Sequence, residues 1–597
     1  MKESNKHNKK YLATTAIEDF WNVKMPILFL GEWCKNSNRK SFWEQLNYTD
    51  VKSSLDKKEQ VDEARLYTQD LFNNAIKTLT EKFNCLHKEN YSKRYWEIVL
   101  GPWLKWYINT VYTRYVNLKD VINNYEPFTT TLLSKEEHIT PIDTRSFRNL
   151  SQTDTYNLQI YSRIFETLGM NYPTKSLENE NINIYKENGH IRSGPFRFIK
   201  EAVRELVYKR QNNGSIFLVD SYFTNSDILK LFIITTGKVY PLFKIMPPIS
   251  PVKLCQEKRV HLIAIEHEHS EFEMVFNRLL PFDVPICYIE GYKIIKQYIK
   301  SNNPRKPRVI FSSNSWYFRE NIKIWAANSK ESGTVLVGTQ HGGNYGSVVY
   351  PHEANFETDI TDRYYTWGWE KKNCNTHVIP FYSTKLSSRR KLGAHNSKQG
   401  VLFVTTKIFR YPLYIYRHSY SQKIYYSWQE IFMSKIALTI RPFFRIRLHK
   451  DDSLKEIRLR WASFAPEVQF VNRDNPFFSS LGKNRLFVSD HLSTTFVEAL
   501  SANKPSILFW NPETSDLNEE AIPYYEMLEN VGILHKTPEE AAEKVNAVYP
   551  DVEGWWNRPE LQLAVNTFCN RYARTIPKVH KFWVKEFNNL LNESSNL

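Results

Sequence analysis

The sequence predicts an α/β protein of two parallel-sheet, Rossmann-like domains facing across a cleft, with a helical insertion in the first. Three observations predict it. Short apolar runs ending in polar or glycine residues alternate with helical text from about residue 214 onward. A polar, basic stretch without periodicity, STKLSSRRKLGAHNSKQG at 383–400, interrupts that alternation and reads as a linker. The alternation then restarts at residue 401. The expected domains are 1–390, with the helical insertion at about 55–205, and 400–575. A terminal helix, 576–597, is expected to pack back on the first domain.

The elements follow in order. MPILFL (25–30) is a strand stopped by Gly31, because six apolar residues are too few for a helix. From 56 to 118 apolar residues recur at three and four, the helical period, and the Trp- and Tyr-rich second half is expected to pack deep. GSIFLV is a strand and SDILKLFIITT a helix. RVHLIAI, PICYIEGY, PRVIF and TVLVG read as further strands, and VLFV, FFRIRLH, EVQFV, NRLFVSD and PSILFW as those of the second domain. The tail, 539–591, is largely helical.

Composition narrows the function. The chain has 597 residues, 42% hydrophobic and 24% charged, which is ordinary globular usage. Lys+Arg 80 against Asp+Glu 64 leaves +16, favouring anionic partners such as phosphorylated metabolites. A nucleic-acid partner is not expected, because no RNP-like motif accompanies the many aromatic residues. No run approaches the ~20 apolar residues of a membrane span, and no signal-peptide core opens the chain, so a cytoplasmic location is expected. Six scattered cysteines without a CxxC pair predict neither zinc nor a disulfide framework.

Several segments carry candidate chemistry. GTQHGGNYG, after a strand, supplies Gln340, His341, Gly342 and Gly343: glycines let backbone approach an anion, and the imidazole is suited to donate, accept or transfer a proton. The same text also reads as a glycine turn beside a packed histidine. Glu357 and Asp359 in EANFETDITDRYYTWGW, Glu290 in YIEGY and Glu32 in FLGEWC are carboxylates expected in loops or at element ends. There they are placed for base or nucleophile work or for simple capping. In FFRIRLH, Arg447 and His449 share one strand face, a grip for phosphate or a basic surface. Ser493, Thr494 and Thr495 open a helix, with Glu498 at capping-box spacing from Thr495. Hydroxyls and free amides there suit an anion.

Together FLGEWC, RYWEIVLGPWL, GTQHGGNYG, ETDITDRYYTWGW, TTFVEALSANKPSILFW and the late Trp555–Trp556 pair resemble a bacterial family of surface-polysaccharide (O-antigen and capsule) transferases over most of the chain. More broadly the chain resembles GT-B glycosyltransferases that use CMP-activated ulosonic acids of the Kdo or pseudaminic acid type. The resemblance implies a metal-independent transfer with no cofactor beyond the nucleotide sugar, which is held by the second domain. His449–Lys450 stands where those enzymes have His-Pro; the proline is missing here. It also implies a glycan or lipid-linked oligosaccharide acceptor and peripheral association with the cytoplasmic face of the inner membrane. A carboxylate nucleophile from Glu357, Asp359 or Glu290, assisted by His341, is the implied chemistry. The alternatives are a CMP-dependent polyol-phosphate transferase of the teichoic-acid type and a basic RNA- or membrane-binding protein.

Overall fold

The computed structural model describes residues 9–177, 215–242, 252–302, 306–349, 352–371, 376–389, 391–395, 399–415, 422–450, 454–514 and 516–593. Three parallel sheets organise the chain. The first is small, with strands β1 (Lys10–Ala13), β2 (Ile27–Phe29), β3 (Tyr48–Asp50) and β4 (Phe128–Thr129) in the order β3-β2-β1-β4. A two-stranded pair, β5 (Leu132–Leu133) and β6 (Thr174–Lys175), stands beside it. Two long helices, Lys58–His87 and Lys93–Asn124, form the body of this layer. Ser92 starts the second by accepting the Tyr95 amide, and Trp96, Trp103 and Trp106 are buried along it.

The second sheet holds β7 (Ile216–Val219), β8 (Val239–Pro241), β9 (Val309–Ser312), β10 (Val335–Thr339), β11 (Arg363–Thr366) and β12 (His377–Pro380), in the order β12-β11-β10-β9-β7-β8. The third holds β13 (Val401–Val404), β14 (Phe444–Arg447), β15 (Gln469–Phe470), β16 (Leu486–Ser489), β17 (Ser506–Phe509) and β18 (Leu534–His535), in the order β15-β14-β13-β16-β17-β18. Counted within that sheet, the order is 3-2-1-4-5-6, the Rossmann arrangement; the second sheet follows the related 2-1-3-4-5 pattern with one strand more. Strands such as IFLV, VIFS, VLFV, LFVS and SILF are buried at every position, as sheets covered on both faces require.

Several expectations need correcting. The strand at 25–30 belongs to the small first sheet, which brackets the long helices in sequence; residues 178–214 lie outside the described residues. RVHLIAI and PICYIEGY are not strands. The Asn277 side chain takes both the Ala264 and Ile265 amides and returns a bond to the Ile265 carbonyl. The Ile286 and Cys287 amides bond the carbonyls of Pro141 and Ile142 in the helical layer. These peptide groups are satisfied without a neighbouring strand. The start of the expected linker is packed, with Ser383, Thr384 and Leu386 buried, while residues 390 and 396–398 lie outside the described residues.

The tail closes the molecule. Helix Val579–Glu593 lays Trp583, Phe587, Leu590 and Leu591 on the second sheet, against Ile216, Leu218, Phe311, Val337 and Tyr365. His580 pairs there with Asp227 at 3.0 Å. The chain thus crosses between halves twice, and the crossings touch: the Ser383 amide bonds the Arg574 carbonyl, and the Arg574 amide that of Trp367, both at 2.9 Å.

Candidate functional site

In open α/β sheets, ligands lie beyond the carboxyl ends of the strands, where the strand order reverses. For the second sheet that point lies between β7 and β9, and for the third between β13 and β16. The loops leaving these ends meet. The Gly343 amide donates to Thr494 Oγ1 at 3.0 Å, and Asn344 Nδ2 to the Leu492 carbonyl at 3.0 Å. Further along, the Asn518 amide bonds the Ser347 carbonyl and the Val349 amide that of Asp516. A Cβ on Gly343 would stand 2.7 Å from the Ser493 carbonyl oxygen and Thr494 Cα, so only glycine allows this approach.

His341 sits two residues before that junction. Its side chain is 17% exposed, and Nδ1 lies 3.4 Å from Oε1 of the fully buried Glu357. The other Glu357 oxygen accepts the Tyr364 hydroxyl at 2.7 Å. The Tyr345 hydroxyl lies 3.3 and 3.4 Å from the two ring nitrogens, and Tyr222 stands parallel to the imidazole, 6.3 Å away between centroids. Burial, with the Lys385 charge second, pushes His341 down to about 3 against a smaller opposing effect of the Ser313 backbone. The ring is therefore neutral near pH 7, with one ring nitrogen able to accept a hydrogen bond. Gln340 braces the loop: its carbonyl oxygen takes the Trp367 amide and the Trp369 indole N–H, and its amide reaches the Gly342 carbonyl at 2.7 Å.

Across the cleft, Ser493 caps helix Thr494–Ser501 by accepting the Thr495 amide, and its hydroxyl lies 2.8 Å from that of Thr495. Arg447 ends β14, donates to Ser480 Oγ at 3.3 Å and is half-buried, which lowers its pKa against the pull of Glu498. His449 lies two residues past that strand, partly buried. Glu498 does not close a capping box; it pairs instead with Lys385 at 2.6 Å. The cap falls on Ser493 rather than Thr495, which moves Glu498 past the box position.

Three carboxylates are placed otherwise than expected. Asp359, 48% exposed, turns to Lys105 on the long helix, since two residues from Glu357 is about 200° around a helix. Glu290 is no strand-end group. Burial would raise its carboxyl, but a bidentate Arg259 contact at 2.8 and 2.7 Å, with the Cys255 amide, holds it below the usual range. Glu32 stands beside the small first sheet and pairs with Lys35. None of their described contacts is with the His341 loop.

The sequence reading missed Asp220, Tyr222, Lys385 and Asp490. Asp220 and Tyr222 both adopt positive φ (44° and 57°) at the end of β7, where strain in non-glycine residues gathers at functional sites. Asp220 accepts from Ser315 and Arg319 in the loop after β9. Asp490, buried after β16, accepts from Tyr425 and Gln429 and contacts His491 at 2.8 Å. The strand-end positions were the available signal.

Two parallel α/β halves, joined by paired crossings and meeting at their strand-end loops, define a two-domain Rossmann-like protein. The chain belongs to the LIC12162 family of transferases, whose profile matches residues 10–587. It is therefore a transferase. No curated protein matches the chain. Among solved structures it is similar to the wall teichoic acid polymerase TagF, at 11% identity over 67% of this chain and 98% of that one, with TM-score 0.32. It is also similar to Acinetobacter baumannii MurG, at 10% identity over 63% and 100%, TM-score 0.33. The UDP-GlcNAc 2-epimerase of Neisseria meningitidis matches at 10% identity over 63% and 100%, TM-score 0.34. These likenesses are remote; the fold rests on the strand orders given above.

Proposed function

We propose that this transferase is a glycosyltransferase of capsule or O-antigen biosynthesis, moving a sugar from a nucleotide donor, a ulosonic acid from its CMP ester, to a glycan or lipid-linked acceptor. The observation that carries the reading is the Gly343–Thr494 contact, which sets the neutral His341 beside a helix start suited to phosphate. The donor phosphate lies against Ser493, Thr494, Thr495 and Arg447, with His449 beyond. The acceptor hydroxyl lies against His341.

In the step, the acceptor oxygen bonds the anomeric carbon as the bond from that carbon to the phosphate oxygen breaks. The electron pair leaves with CMP, and the hydroxyl proton passes to His341. Glu357 acts behind the ring, orienting it, because its carboxylate is fully buried against His341 and Tyr364. With Asp359 and Glu290 engaged elsewhere, displacement by the acceptor itself is the mechanism we favour over a carboxylate nucleophile. A lipid-linked acceptor brings the enzyme to the cytoplasmic membrane face as a peripheral protein; no helix among the described residues is long and apolar enough to cross a membrane.

Thermal shift with CMP, UDP, GDP and ADP tests the donor. A nucleotide at 100 times its Kd stabilises by about 2.7 kcal/mol, and the reading expects that response from CMP alone. No response to any of the four removes the reading. Phosphorus in the transferred product would replace it with polyol-phosphate transfer.

A further inference from the structure

One charged group where the two halves meet is left unused by the proposed chemistry. Lys385 lies just after β12, on the segment that crosses between the halves. Its Nζ is 2.6 Å from Glu498 on the opposite helix and 5.5 Å from the centroid of the Tyr222 ring, which itself stands parallel to His341. Both charged side chains are largely enclosed, 20% and 14% exposed, so neither is a solvated surface group. Thr384 beside it is fixed by a bond to the Ser221 carbonyl at 3.0 Å, which holds the backbone at the end of β7.

Glu498 faces Lys385 directly and also acts on Arg447, so one carboxylate serves two cations beside a helix start. Two cations and one carboxylate, all partly enclosed, give an incoming anion a favourable partner there. A phosphodiester carries one negative charge spread over two non-bridging oxygens, so it can meet Lys385 and Arg447 together.

We propose that Lys385 is an anion-binding residue of the transfer site, oriented by Glu498 and passed to the donor's phosphate when the nucleotide sugar binds. The inference rests on the transferase site proposed above and adds a residue to it. Because Lys385 belongs to the crossing segment, its exchange ties occupation of the third-sheet half to the position of the second-sheet half. A ligand shifts this equilibrium only through its different affinity for the two arrangements, so the two members of the ion pair must act on affinity in opposite directions.

That opposition is the test. Inorganic pyrophosphate is titrated calorimetrically at low salt into the full chain and into Lys385→Met, Lys385→Arg and Glu498→Gln. Affinity should fall about tenfold or more in Lys385→Met, recover in Lys385→Arg, and rise about threefold or more in Glu498→Gln although that variant melts lower. A purely structural ion pair predicts loss of melting temperature in both partners with affinity unchanged or lowered in both; either result overturns the proposal. So does wild-type protein that binds no pyrophosphate. Wild-type protein that binds pyrophosphate with the expected variant pattern but responds to no nucleotide keeps this site and removes the nucleotide-sugar reading.

Discussion

Glu357 and His341 form a pair in which only the histidine is partly exposed: Oε1 lies 3.4 Å from Nδ1, while the carboxylate itself is fully buried and takes the Tyr364 hydroxyl at 2.7 Å. Burial beside Glu357 drives the Tyr364 hydroxyl far above its ordinary range, so it stays a donor at any working pH. Under the proposed chemistry Glu357 would orient the imidazole from behind, as carboxylates do for catalytic and metal-bound histidines.

Removing the base should therefore cost more than removing its support. His341→Ala is expected to lower kcat by about 100-fold or more, the usual scale for a proton-transfer group, and Glu357→Gln by about tenfold, with KM changed less than twofold in both. Initial rates over a range of acceptor concentrations check this. Equal, near-normal turnover in the two variants would refute the assignment.

The same burial has a signature in acid. His341 is pushed to about 3, whereas a histidine in an unfolded chain binds its proton near 6.5. Between those values the unfolded chain holds the extra proton. The contribution to stability is therefore complete above pH 6.5 and is lost as pH falls toward 3, by up to about 1.4 kcal/mol per pH unit for one proton. His87 and His138, each pushed to about 4 mainly by burial, act with the same sign. Urea midpoints taken from pH 7 to 5 should fall more steeply for the wild type than for His341→Asn, and parallel curves would contradict the shift.

The junction of the halves depends on one missing methyl group. In Gly343→Ala the new Cβ meets backbone atoms 2.7 Å away, so a whole loop must yield rather than a side chain. Overpacking of this kind costs about 1–3 kcal/mol. Thr494→Val removes only the 3.0 Å bond to the Gly343 amide, worth about 1 kcal/mol. Both should lose transfer activity, the alanine variant more, and melting curves with rate assays separate the two effects.

The architecture was legible because buried parallel strands are written as unbroken apolar runs: IFLV, VIFS, VLFV, LFVS and SILF are all strands. The failures came where apolar runs of the same length are satisfied sideways, at 264–265 by one asparagine and at 286–287 by the 141–142 turn. Gln340, His341, Gly343 and Thr494 were visible because a glycine-rich loop after a strand and a hydroxyl-rich helix start carry local signals, whereas Glu357 was one of several acidic residues ahead of an aromatic run. Lys385 and Asp490 were not, since each takes its role from partners more than sixty residues away, Glu498 for one and Tyr425 and Gln429 for the other. Local spacing cannot encode such pairings.

The tail helix is expected to be indispensable to the second sheet. Trp583 is fully buried, its ring centroid 5.1 Å from that of Phe311 and 4.8 Å from those of Tyr365 and Phe381. Trp583→Ala should destabilise by about 3–5 kcal/mol. Truncation after residue 575 would bare Ile216, Leu218, Phe311 and Val337 to water and should yield aggregated protein. Soluble, cooperatively unfolding truncated protein would show the helix to be dispensable.

The other carboxylates give the sharpest contrast with Glu357. Asp359 faces away toward Lys105 at 3.7 Å and is half exposed, so Asp359→Asn removes a weak surface pair worth about 0–1 kcal/mol. Its turnover should stay within about twofold of wild type. Glu290 pairs with Arg259 at 2.7 Å with both side chains nearly excluded from water, and breaking such a pair strands a buried guanidinium at about 3–5 kcal/mol. Glu290→Gln should thus melt well below wild type, while the molecules still folded at low temperature turn over at an unchanged rate. The two variants therefore separate stability from chemistry, because a nucleophile would behave in the opposite way. Its amide variant would fold normally and transfer nothing, and that outcome in either residue would bring back the covalent mechanism.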